Sequence, residues 1–299
     1  MSPWFTRLPL LLLLVLVGPG LAACAPAGPP HFSGERAMRH VEAQLAIGTR
    51  VPGSAGSGLL RDYVVAELQA QGWTVETQCS TYKGVPLCNV LARRGHGPIV
   101  LLGAHYDTRR YADRDPDPQR RQDPVPGAND GASGVAVLLE LARVLGAEDL
   151  DTQVWLAFFD GEDQGEIDGW PWSAGAASMA RELREPLPSY VVVVDMVGDA
   201  DQQLYWEEYS DAALKREIWA LAAELGYGDT FTPTVRFPIV DDHLPFLSRG
   251  IPAVDIIDID YRYWHTTADT ADKVSAQSLE RVGRVLEEMV RRGVGLENE

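Results

Sequence analysis

Cysteine is scarce in this chain, with three among 299 residues, at Cys24, Cys79 and Cys88. No histidine lies close in sequence to Cys79 or Cys88, so a zinc site built on that pair is not expected. Basic charge is also short. Lysine and arginine number 26 against 43 aspartates and glutamates, a formal charge of −17. Nucleic acid and acidic lipid need a basic surface, so this balance argues against both as partners and weakly favours cationic or neutral substrates. The apolar run Leu10–Val17 is too short to span a bilayer. No internal repeat and no second domain boundary stand out. What is present is an ordinary globular composition, 45% hydrophobic and 23% charged, able to bury a sizeable core.

The N-terminus carries its own pattern. Arg7 supplies a positive start, Leu10–Val17 an apolar stretch, and Leu21-Ala22-Ala23-Cys24 follows. These are the parts of a secretory leader. The small-residue run ending in cysteine resembles a bacterial lipobox, which implies cleavage after residue 23 and lipidation of Cys24. The alternative is a plain signal peptide cut near Ala23 or Ala25. Loss of residues 1–23 removes one charged group, Arg7, and takes −17 to −18. The expected plan is a lipoprotein-type signal peptide over 1–23, a tether over 24–33 and one catalytic domain over 34–299. The protein would sit outside the cytoplasm, lipid-anchored to the outer side of a membrane or secreted, meeting the membrane only through Cys24. There, Cys79 and Cys88 in neighbouring strand-like segments are expected to form a hairpin-bridging disulfide, the alternative being two quiet thiols.

Apolar periodicity predicts helices over 34–47, with Met38, Val41, Leu45 and Ala46 on one face, and over 57–71. Strands follow at 73–79, 86–93 and 98–104, then a polar loop at 107–129. Helices at 132–145, 174–184, 211–225 and 275–292 alternate with strands at 152–159, 189–195 and 253–257. Hairpin strands followed by βα alternation imply an α/β fold: a three-layer α/β/α sandwich on a mixed, centrally parallel sheet. Functional residues are then expected at the carboxyl ends of the parallel strands.

Those ends are rich in ligands. Val154–Phe159 runs into Asp160-Gly161-Glu162-Asp163, placing two adjacent carboxylates at the end of a buried strand. Burial and like charge both raise their pKa values. A metal ion would relieve the repulsion, one carboxylate ligating it while the other moves a proton. Alone, such a pair is an acidic turn. Here it joins His105-Tyr106-Asp107, Asn129-Asp130-Gly131, Asp195, Asp241-Asp242-His243 and Trp264-His265-Thr266, all at expected strand ends or loops on the same edge. Mixed histidine and carboxylate ligands suit zinc. His243 is read as structural, and Asp255, Asp258 and Asp260 as solvated strand-end residues.

Together these residues resemble the M28-type zinc aminopeptidase fold, from about residue 35 to the C-terminus. Within it, the insert Arg109–Pro126, the Glu-Asp form of the acid pair, the run Asp241–Phe246 and Trp264-His265-Thr266 look more like the glutaminyl cyclase branch. That resemblance implies one zinc held by Asp130, Asp163 and His265, with Glu162 as general acid/base and Asp195 and Asp241 in a carboxylate network beside it. It also implies that Trp264 and Trp170 wall the substrate pocket. His105 and Asp195 match the second-metal ligands of the di-zinc aminopeptidases, with Asp130 as bridge. The leading expectation is a zinc-dependent glutaminyl-peptide cyclotransferase acting on peptide or protein N-termini. A secreted aminopeptidase with two zinc ions is the alternative. A third reading, a cell-surface binding protein that lost its metal, would leave broken ligands, whereas Asp130, Glu162, Asp163 and His265 are intact.

Overall fold

The computed structural model describes residues 30–296, together with Met1 and Trp4. The expected leader, Cys24 and the first part of the tether lie outside the described residues. Helix α1 (Gly34–Ile47) starts at Ser33, whose Oγ accepts from the Arg36 N–H, and α2 (Ala55–Ala70) starts likewise at Ser54. The buried stripe of α1 is Ala37, Val41 and Gln44, with Met38 and Leu45 half-buried beside it. Ala46, expected on that face, is exposed.

Strands β1 (Thr74–Tyr82) and β2 (Val85–Arg94) form an antiparallel hairpin in which Cys79 and Cys88 are directly opposite and disulfide-bonded. β3 (Ile99–His105), α3 (Ala132–Leu145), β4 (Gln153–Phe159), α4 (Ala174–Glu182) and β5 (Tyr190–Asp195) follow. A second sheet, absent from the sequence expectations, pairs β6 (Leu204–Glu207) with β7 (Phe231–Phe237) across α5 (Ala212–Glu224). The short α6 (Leu244–Leu247), β8 (Ala253–Ile257) and α7 (Ala276–Arg292) complete the chain.

The main sheet runs β1-β2-β4-β3-β5-β8, antiparallel from β1 through β4 and parallel from β4 to β8. Alternate residues of its buried strands feed two cores. Leu102, Leu156, Val192 and Val254 pack under α1, α3 and α7, while Leu101, Trp155, Val191 and Ala253 pack against α4 and α6. Burial on both faces explains the unbroken apolar runs of β3 and β5. The fold is the three-layer α/β/α sandwich with a mixed, centrally parallel sheet.

Register positions the chemistry. His105 pairs with Phe159 and Asp195 with Ile257, so the segments leaving β3, β4, β5 and β8 emerge at one edge.

Candidate active site

Two of the ligand-bearing turns at this edge are each held by a carboxylate from another element. Asp107, just past β3, accepts the backbone N–H groups of Glu162 at 3.0 Å and Asp163 at 3.2 Å. Asp269 accepts those of Asn129 at 2.9 Å and Asp130 at 3.2 Å. Such charge-assisted bonds fix where the side chains point. The long loop after β3 is tied down as well. Buried Arg50 donates to the carbonyls of Pro126 and Gly127, and Asp115 accepts from the N–H and hydroxyl of Thr267. Gly131 is required by close approach, since a Cβ there would lie 2.5 Å from the His105 carbonyl oxygen.

The structure brings seven of the expected residues together around a cavity of about 220 Å³: Asp130, Glu162, Asp163, Asp195, Asp241, Trp264 and His265. Asp130 is shared by two trios of possible metal ligands, one with Asp163 and His265, the other with His105 and Asp195. In the first, His265 Nε2 lies 3.0 Å from Asp163 Oδ1 and 3.9 Å from Asp130 Oδ2. Neither contact has hydrogen-bond geometry, and Asp130 Oδ2, Asp163 Oδ2 and both His265 nitrogens are buried without partners. Buried polar atoms are rarely left so. In the second, His105 Nε2 donates to Asp195 Oδ1 at 3.0 Å and lies 3.2 Å from Asp130 Oδ1. Two carboxylates and an imidazole around orphaned atoms are a donor set that fits zinc.

His265 adopts a left-handed φ of 57°, a conformation that costs a non-glycine residue of order 1 kcal/mol and clusters at functional sites. Its ring is held on three sides. Trp264 sits 4.0 Å away between ring centroids, Trp172 lies nearly parallel at 6.0 Å, and Asp113 Oδ1 is 3.4 Å from Nδ1. Arg109 locks this arrangement: it donates to both oxygens of Asp113 at 2.9 and 2.6 Å, and to the Asp163 carbonyl at 3.2 Å. Its guanidinium also sits 5.2 Å from the centre of the Trp172 ring. Asp113 is thereby kept below the usual carboxylate range, the nearby His265 imidazole and the Arg109 guanidinium outweighing its burial.

Glu162 is buried and its pKa is pushed well above the ordinary value, by burial first and then by Asp241. Asp241 is pushed up the same way, by burial, Asp195 and Asp242, and Asp195 by burial. Asp163 rises to about 6, through burial and its neighbour Asp130.

Several expectations are corrected. Trp170 does not wall the cavity; it packs edge-on against Tyr82, with ring centroids 4.9 Å apart, and Trp172 takes the place beside His265. A Cβ at Gly165 would lie 2.0 Å from the Trp172 ring, so a glycine is needed for that indole to seat. Asp255 is buried rather than solvated because β8 is covered on both faces, and Asp258, just past β8, is buried where it accepts the Gln203 N–H; Asp260 is exposed as expected. His243 is fully buried, 3.2 Å from Glu207, away from both trios. Arg109, Asp113 and Trp172 were missed as site residues. The one available signal was the position of Arg109 four residues past His105, at a strand end where ligands gather.

The description "Peptidase family M28" matches residues 89–290 of the chain. A glutaminyl-peptide cyclotransferase from the snake Boiga dendrophila is 26% identical over 292 residues, covering 81% of this chain and 76% of that protein. Among solved structures, a glutaminyl cyclase from Porphyromonas gingivalis superposes with a TM-score of 0.83 at 32% identity, covering 88% of this chain and 99% of that one. A leucine aminopeptidase precursor from Bacteroides thetaiotaomicron gives 0.83 at 30% identity, covering 88% and 98%.

Proposed function

Since the chain belongs to peptidase family M28, we propose that it is a zinc-dependent glutaminyl-peptide cyclotransferase, converting an N-terminal glutamine to pyroglutamate with release of ammonia. The observation that carries this reading is the inequality of the two trios. The His105 trio is already hydrogen-bonded within itself, whereas the Asp130–Asp163–His265 trio leaves its facing atoms orphaned. One zinc suits that pattern, and a cyclisation needs no metal-bound water.

Asp130, Asp163 and His265 would hold the ion, which when bound supplies Lewis-acid polarisation of the substrate's side-chain carbonyl. Glu162 takes a proton from the substrate's α-amino group as that nitrogen attacks the γ-carbonyl carbon, and returns it to the departing ammonia. Its raised pKa makes it a stronger proton acceptor than an ordinary carboxylate, as the transfer from the amine requires. Burial, and then the like charge of Asp241, keep it raised, with Asp195 beside them in the same carboxylate network. Trp172 and Trp264 flank His265 and bind the glutamine side chain against it, excluding water. Holding the amine against its own side chain makes the attack intramolecular, with an effective concentration on the order of 10⁵ M or more when well oriented.

The complete second trio supports an alternative, a two-metal aminopeptidase with water as nucleophile. Glutamine amide and leucine amide separate the two. The cyclase forms a pyroglutamyl product from the first and leaves the second untouched; release of leucine without pyroglutamate would reject the cyclase reading.

Residues 34–299 are taken as one catalytic domain, and Cys24 as a lipid-anchored N-terminus outside the cytoplasm. The Cys79–Cys88 disulfide fits an oxidising compartment. Mass spectrometry of the mature protein tests the anchor, since an acylated Cys24 is expected and a free residue 24 or 25 rejects it.

A further inference from the structure

A second hollow, of about 470 Å³, adjoins the catalytic cavity and shares Trp172, Val240 and Asp241 with it as wall residues. Its remaining wall is largely apolar, from Ala177 and Ala180 on α4 and Leu244 and Pro245 on α6. Two exposed arginines, Arg181 and Arg249, line it from the same two sides. Arg249 donates to the Ala180 carbonyl, which ties the end of α6 to α4, and Arg181 donates to Ser178 Oγ at 3.1 Å. Among the described residues neither guanidinium is paired with a carboxylate, and the one acid in the wall, Asp241, is buried. In a chain of charge −17, two uncommitted cations on one hollow are a local reversal of the surface field.

We propose that this hollow receives the residues that follow the N-terminal glutamine of the substrate peptide and selects an acidic side chain there. The inference rests on the cyclase reading. With glutamine in the smaller cavity, an extended chain advances roughly 3.3 Å per residue, so the second and third residues reach the adjoining hollow. Its apolar floor takes their aliphatic portions, and the guanidinium forks take a carboxylate. The overall charge of the protein disfavours acidic peptides at long range; the two arginines reverse that preference at contact. Exposed pairs of this kind are worth about fivefold each in selectivity, and salt screens them.

The test measures kcat/KM of the zinc-loaded full chain on glutamine amide and on tripeptide amides beginning with Gln. These carry Glu, Ala or Lys at the second or third position. The acidic peptides are expected to be preferred over the lysine peptides by about tenfold at low salt, with the ratio shrinking toward one in 0.5 M salt. Arg181→Glu and Arg249→Glu, made separately, are each expected to erase or invert the order. Turnover of glutamine amide, which does not reach the hollow, should stay unchanged and shows that the variants are folded. Absence of an acidic preference in the wild type, or its persistence in both variants, would overturn the subsite while leaving the cyclase reading intact. Failure to cyclise glutamine amide at all would remove both.

Discussion

Asp130 turns one carboxylate oxygen toward His105 and the other toward His265. On the first side, His105 donates to Asp195 and lies against Asp130, and its pKa is driven well up: burial alone would lower it, but Asp195, Asp107 and Asp130 outweigh that. An imidazolium among carboxylates is its own counter-charge. On the second side His265 is pushed up too, against burial, chiefly by Asp163, yet no hydrogen bond forms with either acid. Its ring is instead oriented from outside by Asp113, Arg109 and two tryptophans. On the one-zinc reading proposed above, the set satisfied from within is a structural charge cluster and the set aimed by neighbours and left unsatisfied holds the ion.

The comparison can be broken in order of expected effect. Glu162 lines the same cavity, and Glu162→Gln should reduce cyclisation of glutamine amide by about 10³-fold while zinc content stays at the wild-type level. An active variant would remove Glu162 from the chemistry. His105→Asn should act on folding instead. It strips the counter-charge from buried Asp195 and Asp130, a loss of about 3–5 kcal/mol readable in urea unfolding of the apo protein. Asp113→Asn removes the carboxylate behind His265 and should weaken zinc binding by about 10–100-fold in competition with a chelator, with apo stability less affected than by His105→Asn.

An effect outside the comparison concerns Asp160, at the same strand end but in neither trio. Burial first, and then Asp107, raise its pKa to about 7. A carboxyl raised in the folded state binds more protons there than when unfolded. Its stabilising contribution is therefore full below about pH 4 and is lost as pH rises through about 7. Asp160→Asn should accordingly gain stability relative to wild type between pH 5 and pH 8, measured as the shift in urea midpoint. An unchanged difference across that range would contradict the assignment.

Most of the scaffold was legible in the chain because its central strands and helices are long and strongly patterned. The helix over 132–145 was read to the residue, and β8 likewise. The second sheet was not, for physical reasons. β6 has four residues, and β7 carries a proline and is mostly exposed, so neither shows apolar alternation. At the site, strand-end logic found the residues of both trios, because topology alone brings those ends together. The resemblance pointed to Trp170, whereas Trp172, two residues on in a loop whose turn decides which faces the cavity, lines it. Strand-end logic misjudged Asp255, an acid in a strand buried on both faces. The supports Arg109 and Asp113 were missed, with only the position of Arg109 near a strand end to hint at them, because their partners are set by the folding of a long loop and not by any local period.

Zinc counted per chain is the most direct test of the unequal trios, made on wild type, Asp163→Ala and His105→Asn after dialysis against metal-free buffer. The expected result is one ion in wild type, none in Asp163→Ala and one still in His105→Asn. Two ions in wild type, falling to one in His105→Asn, would contradict the account and make the second trio a metal site in its own right.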